Sequence, residues 1–377
     1  MESMKLEPLA GPALPKAVSA LAAGAVPAKL MVVRGMAPMR PVEFLIAVYQ
    51  LSFDPEAAVR SGAEAAPENL PEKIVLGPLG EALPPQVLHF FAERLPVSRR
   101  QALEKILFNQ ATADETFVLL GKRLEEGGLE IIFQNEVRLL RCPALVEALY
   151  FNKHARMSSV SRALELCARH GVRLDGIPAY AEMATAIMAD PNAAAPSAAD
   201  DAFAAVLTEA NAPAVPADAS PEGSKDDAAG ESESKRKPSA SFIKFDELKI
   251  FEKIRLATIG NAYCRQVLIR DSNRLVAMSV VRSPAITDGE ILAAAANRAV
   301  SDDVIRFIAN SREHTKDYAV KQALVNNPKC PLASSLRLLN FLRPDDLKGV
   351  SRSRNIPGAL ATAAKKLLQT RDKSGGG

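Results

Sequence analysis

Helix-start signals recur along this chain at intervals of about fourteen residues, and this spacing constrains the fold more than any other feature. On the N-terminal side they stand at Pro15, Pro27, Pro41, Asp54-Pro55, Pro71, Pro85, Ser98, Thr112, Gly127-Gly128, Pro143 and Ser158. Towards the C-terminus they stand near Asn261, Asn273, Thr287, Ser301, Thr315, Pro331, Pro344-Asp345 and Pro357. Proline suits a first helical turn because its missing N–H would be unpaired there anyway, and Ser, Thr or Asp caps the same exposed donors. Three starts have capping-box spacing: Ser98 with Gln101, Thr112 with Glu115, and Thr287 with Glu290. A helix of about ten residues plus a connector of about four fills each interval.

Apolar residues follow these signals at helical spacing. Phe44, Leu45, Val48 and Leu51 form one such stripe; Val87, Leu88 and Phe91 another; Ala102, Leu103, Ile106 and Leu107 a third; Leu145, Val146 and Leu149 a fourth. The C-terminal side adds Ile291, Leu292 and Ala295; Val304, Ile305 and Ile308; Val320, Ala323 and Leu324; and Leu336 with Leu339. Period-two alternation is absent, which excludes strands over these segments. Two helices make a unit of about 28 residues, and one hairpin of that size cannot bury its own stripe, so neighbours must stack. The expected fold is all-α, an alpha-solenoid of short helical hairpins in two blocks joined by a disordered linker.

Charge and composition divide the chain. Residues 1–160 hold 17 basic against 18 acidic side chains, residues 161–240 hold 7 against 13, and residues 241–377 hold 23 against 13. The stretch from about 190 to 241 is built of Ala, Pro, Asp, Ser, Glu and Gly, which bury too little apolar surface to offset the entropy of ordering. The expected organisation is an N-terminal repeat block over 1–185, a linker over 186–240, a basic repeat block over 241–370 and a flexible tail over 371–377. Within the linker, Phe203, Val206 and Leu207 lie on one side of a possible two-turn helix over 200–210, either transient or a docking motif that folds on a partner. The cluster Lys235, Arg236, Lys237 with Pro238 reads as a solvated charge run.

Three stretches, residues 59–76, 275–293 and 324–339, end one alanine-rich or leucine-rich helix at Asn-Pro or a similar break and open the next with Thr or Pro. In this they resemble the leucine-rich variant repeat, a relative of HEAT-like helical repeats. The resemblance implies a stacked helical architecture and partner binding, and it implies no reaction. Units near 28 residues are longer than the variant repeat. The iron–sulfur cluster found beside some such repeats has no counterpart, because Cys142, Cys167, Cys264 and Cys330 do not cluster.

Those cysteines form no CxxC pair, so neither a zinc knuckle nor a disulfide framework is written in the chain, and a reducing cytoplasm is the expected location. Residues 9–33 make a poor secretion signal, broken by Pro12, Pro15, Lys16 and Pro27, and no run of about 18 apolar residues is present to span a bilayer. Aromatic residues are 5% of the chain and tryptophan is absent, which argues against stacking platforms for sugars. His89, His154, His170 and His314 lack metal-ligand spacing. Gly121-Lys122-Arg123 lacks the glycine-spaced loop of a phosphate cradle, and the SxxK string from Ser241 to Lys244 has no companion motif. The expectation is a non-enzymatic scaffold with no cofactor and no metal.

The basic block carries the functional signal. Arg265, Arg270, Arg274, Arg282, Arg298, Arg306, Arg312, Lys316 and Lys321 recur at intervals compatible with one solenoid edge, with Asp288, Asp302, Asp303, Glu313 and Asp317 interleaved. Arg298, Arg306, Arg312 and Lys316 are the expected partner-binding residues, for an acidic protein partner or, as the alternative, for nucleic-acid phosphate. The block offers few aromatic or Asn/Gln base contacts, which favours protein. Limited proteolysis is expected to cut first between residues 190 and 241 and to leave two helical fragments; first cuts inside 112–149 would refute the two-block organisation.

Overall fold

A computed structural model describes residues 4–189, 245, 248–353 and 355–374. Among the described residues the chain is all helical, with no strand. It divides into two compact units, Met1–Ser197 and Ala198–Gly377. The first contains α1 (Lys16–Ala22), α2 (Val26–Val33), α3 (Pro41–Leu51), α4 (Ala57–Asn69), α5 (Glu72–Leu79), α6 (Pro85–Arg94), α7 (Arg100–Phe108), α8 (Asp114–Arg123), α9 (Glu126–Phe133), α10 (Glu136–Arg141), α11 (Pro143–Phe151), α12 (Met157–Arg169) and α13 (Tyr180–Ala189). The second contains α14 (Ile250–Ile259), α15 (Ala262–Leu268), α16 (Arg274–Val281), α17 (Asp288–Ala296), α18 (Asp302–Asn310), α19 (Tyr318–Asn326), α20 (Leu332–Leu339), α21 (Pro344–Arg352) and α22 (Gly358–Ser374).

Most helices begin within two residues of their start signal. Three helices went unforeseen: α10, a single short helix inserted between two regular intervals, and α13 and α14 beside the linker. α13 runs across residue 185 to Ala189, with Met183 and Ile187 buried. α22 reaches Ser374, and Arg371 bonds the carbonyls of Asn340 and Leu342, so the start of the expected tail belongs to the fold. The rest of the expected linker, with its 200–210 segment and the 235–238 cluster, lies outside the described residues.

The capping boxes separate into one success and two corrections. Thr287 Oγ1 accepts from the Glu290 N–H, and the Glu290 carboxylate accepts from the Thr287 N–H at 2.8 Å. Neither Ser98 nor Thr112 caps a helix, because α7 and α8 begin one residue later than that spacing requires. Thr112 is buried instead, and its hydroxyl donates at 2.6 Å to the Ile106 carbonyl at the end of α7. The start placed at Thr315 falls in a short 3₁₀ turn, His314–Lys316; α19 follows, capped by Asp317.

Helices pack on the helix two positions ahead as well as on their neighbours. In the first unit α3, α5, α7 and α9 form one such series and α2, α4, α6 and α8 the other, with α8 then meeting α11 and α9 meeting α12. In the second unit α14, α16 and α18 form one series and α17, α19 and α21 the other. The apolar stripes are buried as expected, apart from Leu292 and Ala323, which are half-buried, and Leu336, which is exposed. Leu336 misses the core because Ser335, Leu338 and Leu339 face inward on α20.

What couples one helix pair to the next is a set of side-chain bonds to helix ends. The last carbonyls of an α-helix have no partner within it. Asn109, just after α7, donates its amide to the Leu79 and Glu81 carbonyls at the end of α5, both at 2.7 Å. Asn152, after α11, does the same to Gly121 and Leu124 at 2.8 and 3.0 Å, and Asn327, after α19, to Ala295 and Asn297 at 2.8 and 3.3 Å. The three amide oxygens accept from the N–H two residues on, in Ala111, His154 and Lys329, which fixes each turn. Arginines do equivalent work elsewhere: Arg99 on Leu70, Arg123 on Ala92, Glu93 and Leu95, and Arg337 on Ala309. Donor and acceptor stand 28 to 32 residues apart in the three asparagine rungs, the length of one helix pair.

Two polar pairs inside the first unit add register. Lys29 on α2 and Asp54 after α3 form a buried ion pair at 2.7 Å. Burial pushes the Asp54 carboxyl up, yet the hydrogen bonds from Lys29 and the Glu56 N–H outweigh it and hold the group below its ordinary value. His89 on α6 meets Thr116 on α8 through Nδ1 at 2.9 Å, and burial lowers its basicity against the opposing pull of Glu93 and Glu115.

Replacing Asn109 with Ala is expected to cost roughly 2–4 kcal/mol in urea unfolding, since two carbonyls at a buried helix end lose their donor. Asn109→Asp, which also buries a charge, should cost at least as much. Because the His89 imidazole is depressed in the folded state, its contribution to stability is complete above the unfolded value of about 6.5 and declines as the pH falls below it. Comparing urea midpoints at about pH 7.5 and pH 5.5 checks this, with His89→Gln expected to flatten the difference.

Candidate functional site

The second unit carries the expected binding residues, and the structure spreads them over connectors and one helix. Arg298 lies between α17 and α18, Arg306 on the outer face of α18, Arg312 just after it and Lys316 on the 3₁₀ turn; all four are exposed. Arg306 stands 3.9 Å from Asp303, which also receives Arg274 at 2.9 Å, so an acidic side chain sits between two of the cations. No ion pair joins Arg298, Arg312 or Lys316 to an acid among the described residues.

Much of the remaining positive charge serves the fold. Arg265 pairs with Glu290 at 2.9 Å, Lys253 with Asp271 at 3.0 Å, and Lys329 bonds the Val300 carbonyl at 2.7 Å. Arg282 lies over the Phe307 ring, Lys321 over Phe341 and Arg343 over Tyr318, at 4.8 to 5.7 Å from the centroids. Of these, Arg265, Arg282 and Lys321 are among the cations that sequence spacing alone placed on a single edge.

Two other features went unnoticed in the sequence. First, α20 turns Leu332 and Leu336 outward at i, i+4 spacing, and Phe341 just beyond it is 60% exposed under Lys321. The pattern was legible as a second apolar stripe beside Leu338 and Leu339. Second, a groove of about 480 Å³ opens between α15 and α17. Ile269, Val280, Ile286, Ala293 and Ala294 supply its apolar surface, with Gln266, Arg270 and Asn297 among its polar groups. Arg265 and Glu290 tie the two walls together, and Arg265 Nη1 also donates to the Gly260 carbonyl at 2.6 Å. The sequence signal was the alanine run at the end of α17, whose side chains are too small to fill the space towards α15.

The four cysteines are buried and reduced. Burial pushes all four thiols up, Cys167 and Cys264 to about 11, so they are thiols rather than thiolate nucleophiles at neutral pH. Among the described residues no group of three or more His, Cys, Asp and Glu is placed to hold a metal ion, and no helix is long and apolar enough to cross a membrane. No family model matches the chain, and no match is found among curated proteins or solved structures.

Proposed function

We propose that this chain is a non-enzymatic helical-repeat scaffold, a cytoplasmic alpha-solenoid in two blocks, whose second unit holds protein partners. The observation that carries the reading is the outward apolar face of α20. Leu332 and Leu336 are exposed on α20, the largely exposed Phe341 just beyond it lies under Lys321, and Arg343 lies over the Tyr318 ring. Large exposed apolar side chains flanked by cations are the chemistry of a protein interface, where a partner contributes apolar contacts at the centre and acidic groups at the rim. The resemblance to leucine-rich variant and HEAT-like repeats supports the same reading, because stacked helix pairs supply extended binding surface.

Nucleic-acid binding is the weaker reading. Phosphate recognition needs cations free to displace counterions, and Arg265, Arg274, Lys253 and Lys329 are already engaged with carboxylates or backbone. Exposed Arg298, Arg312 and Lys316 fit the rim of an acidic protein partner.

Full-length protein carrying Leu332→Ser with Leu336→Ser is expected to keep its helical circular dichroism, since both side chains are exposed, and to lose the proteins that wild type retains from a nuclease-treated lysate. Arg298→Glu with Arg306→Glu should weaken the same partners by about tenfold at low salt and less at high salt. Partners that disappear with nuclease treatment alone would overturn the protein-scaffold reading.

A further inference from the structure

The groove between α15 and α17 is a place where the fold's own pattern is interrupted. Within that series α17 packs on α19 and α19 on α21, whereas between α15 and α17 a groove opens, spanned by the Arg265–Glu290 pair. The asparagine rung is interrupted at the same place. Asn297 follows α17 as Asn327 follows α19, and its Oδ1 accepts from the Ala299 N–H at 2.8 Å, the turn made by Asn109, Asn152 and Asn327. Each of those three gives its amide N–H groups to the carbonyl end of an earlier helix. Asn297 makes no such donation among the described residues, and it lines the groove.

The missing rung defines what would complete it. Three asparagines of this turn type each bind two carbonyls at a helix C-terminus, so a fourth that faces an open groove is set for the same group. The carbonyl end of a helix carries partial negative charge. Arg270, just after α15, lines the groove and has no ion pair among the described residues, so it supplies the complementary positive charge. The walls are shaped for a close approach: Ala293 is exposed, Ala294 forms part of the base, and a side-chain carbon added at Gly289 would meet nothing within 4 Å. Half-buried Ile286 and exposed Ala293 offer apolar contact to one helical face, over a floor formed by the buried Ile269, Val280 and Ala294.

The geometry points to this groove as a docking site for a short amphipathic helix of a partner protein, seated with its apolar face on Ala293 and Ala294 and its carbonyl end on Asn297 and Arg270. The proposal rests on the protein-scaffold reading and names both the kind of element bound and its polarity. Helix-in-groove docking takes its affinity from a few apolar anchors and its orientation from polar groups at one end. Here Asn297 and Arg270 set the orientation. The Arg265–Glu290 pair is internally satisfied and holds the walls.

The probe is a fluorescein-labelled, side-chain-stapled peptide with the sequence of residues 287–297, the helix whose carbonyl end Asn327 already receives within the protein. Fluorescence anisotropy against the full-length chain should give saturable binding. Ala293→Trp, which fills the groove from an exposed position, should weaken it at least tenfold with unchanged circular dichroism, and Asn297→Ala and Arg270→Ala should each weaken it several-fold. No saturable binding, or binding indifferent to Ala293→Trp, would overturn the site. Displacement of the peptide by a short single-stranded oligonucleotide would overturn the assignment to a helix. Self-association of wild type that Ala293→Trp abolishes in sedimentation would assign the groove to a second copy instead. The scaffold reading is scored separately: lysate partners lost on Leu332→Ser with Leu336→Ser, beside a failed peptide titration, would leave the scaffold standing without this groove.

Discussion

A chain of helices only seven to thirteen residues long, as nearly all of these are, has a large fraction of its backbone at helix ends, and every end leaves carbonyls that must find a donor. The rest of this structure depends on how that demand is met. Asn109, Asn152 and Asn327, with Arg99, Arg123, Arg337 and Arg371, reach back one helix pair and bond the ends they meet. Apolar stripes supply most of the burial energy, but they are tolerant of sliding. A planar amide that must meet two carbonyls at once is not. The bonds therefore set the register in which the stripes are buried.

The same economy shapes the electrostatics. The C-terminal unit is strongly basic in sequence, yet its cations are divided between carboxylates, aromatic faces, helix ends and open solvent. Arg265 and Arg298 are alike on paper; one is buried against Glu290 and the other is exposed between two helices. In the proposed scaffold role, exposed leucines together with unengaged cations such as Arg298 and Arg312 would suit a partner of mixed apolar and acidic character.

How much of this was legible follows from the range over which each signal acts. Proline at Pro41, Pro85, Pro143 and Pro344 marks a helix start by local geometry, and all four stand at the first position of a helix. Thr112 failed as a cap because its hydroxyl found the Ile106 carbonyl, a choice made by the compact turn after α7 rather than by Thr-x-x-Glu spacing. Leu336 was misassigned because α20 has apolar residues on two faces and periodicity alone does not say which is covered. The alanine run of α17 marked a small-residue face, but the groove itself is set by the distance between two helices about 25 residues apart. The asparagines were in plain sight, but what they bond depends on which helix end lies opposite.

The rungs also restrict how such a chain can change its length. A residue inserted in one connector shifts an amide away from the two carbonyls it bridges and leaves them buried and bare. Insertion or loss of a whole helix pair preserves the spacing, because each new donor finds an end one pair behind it. Descendants of this sequence should therefore differ in length by steps of about 28 residues more readily than by single residues, and drift within a step belongs to segments that carry no rung. Genealogy would be recorded in whole modules.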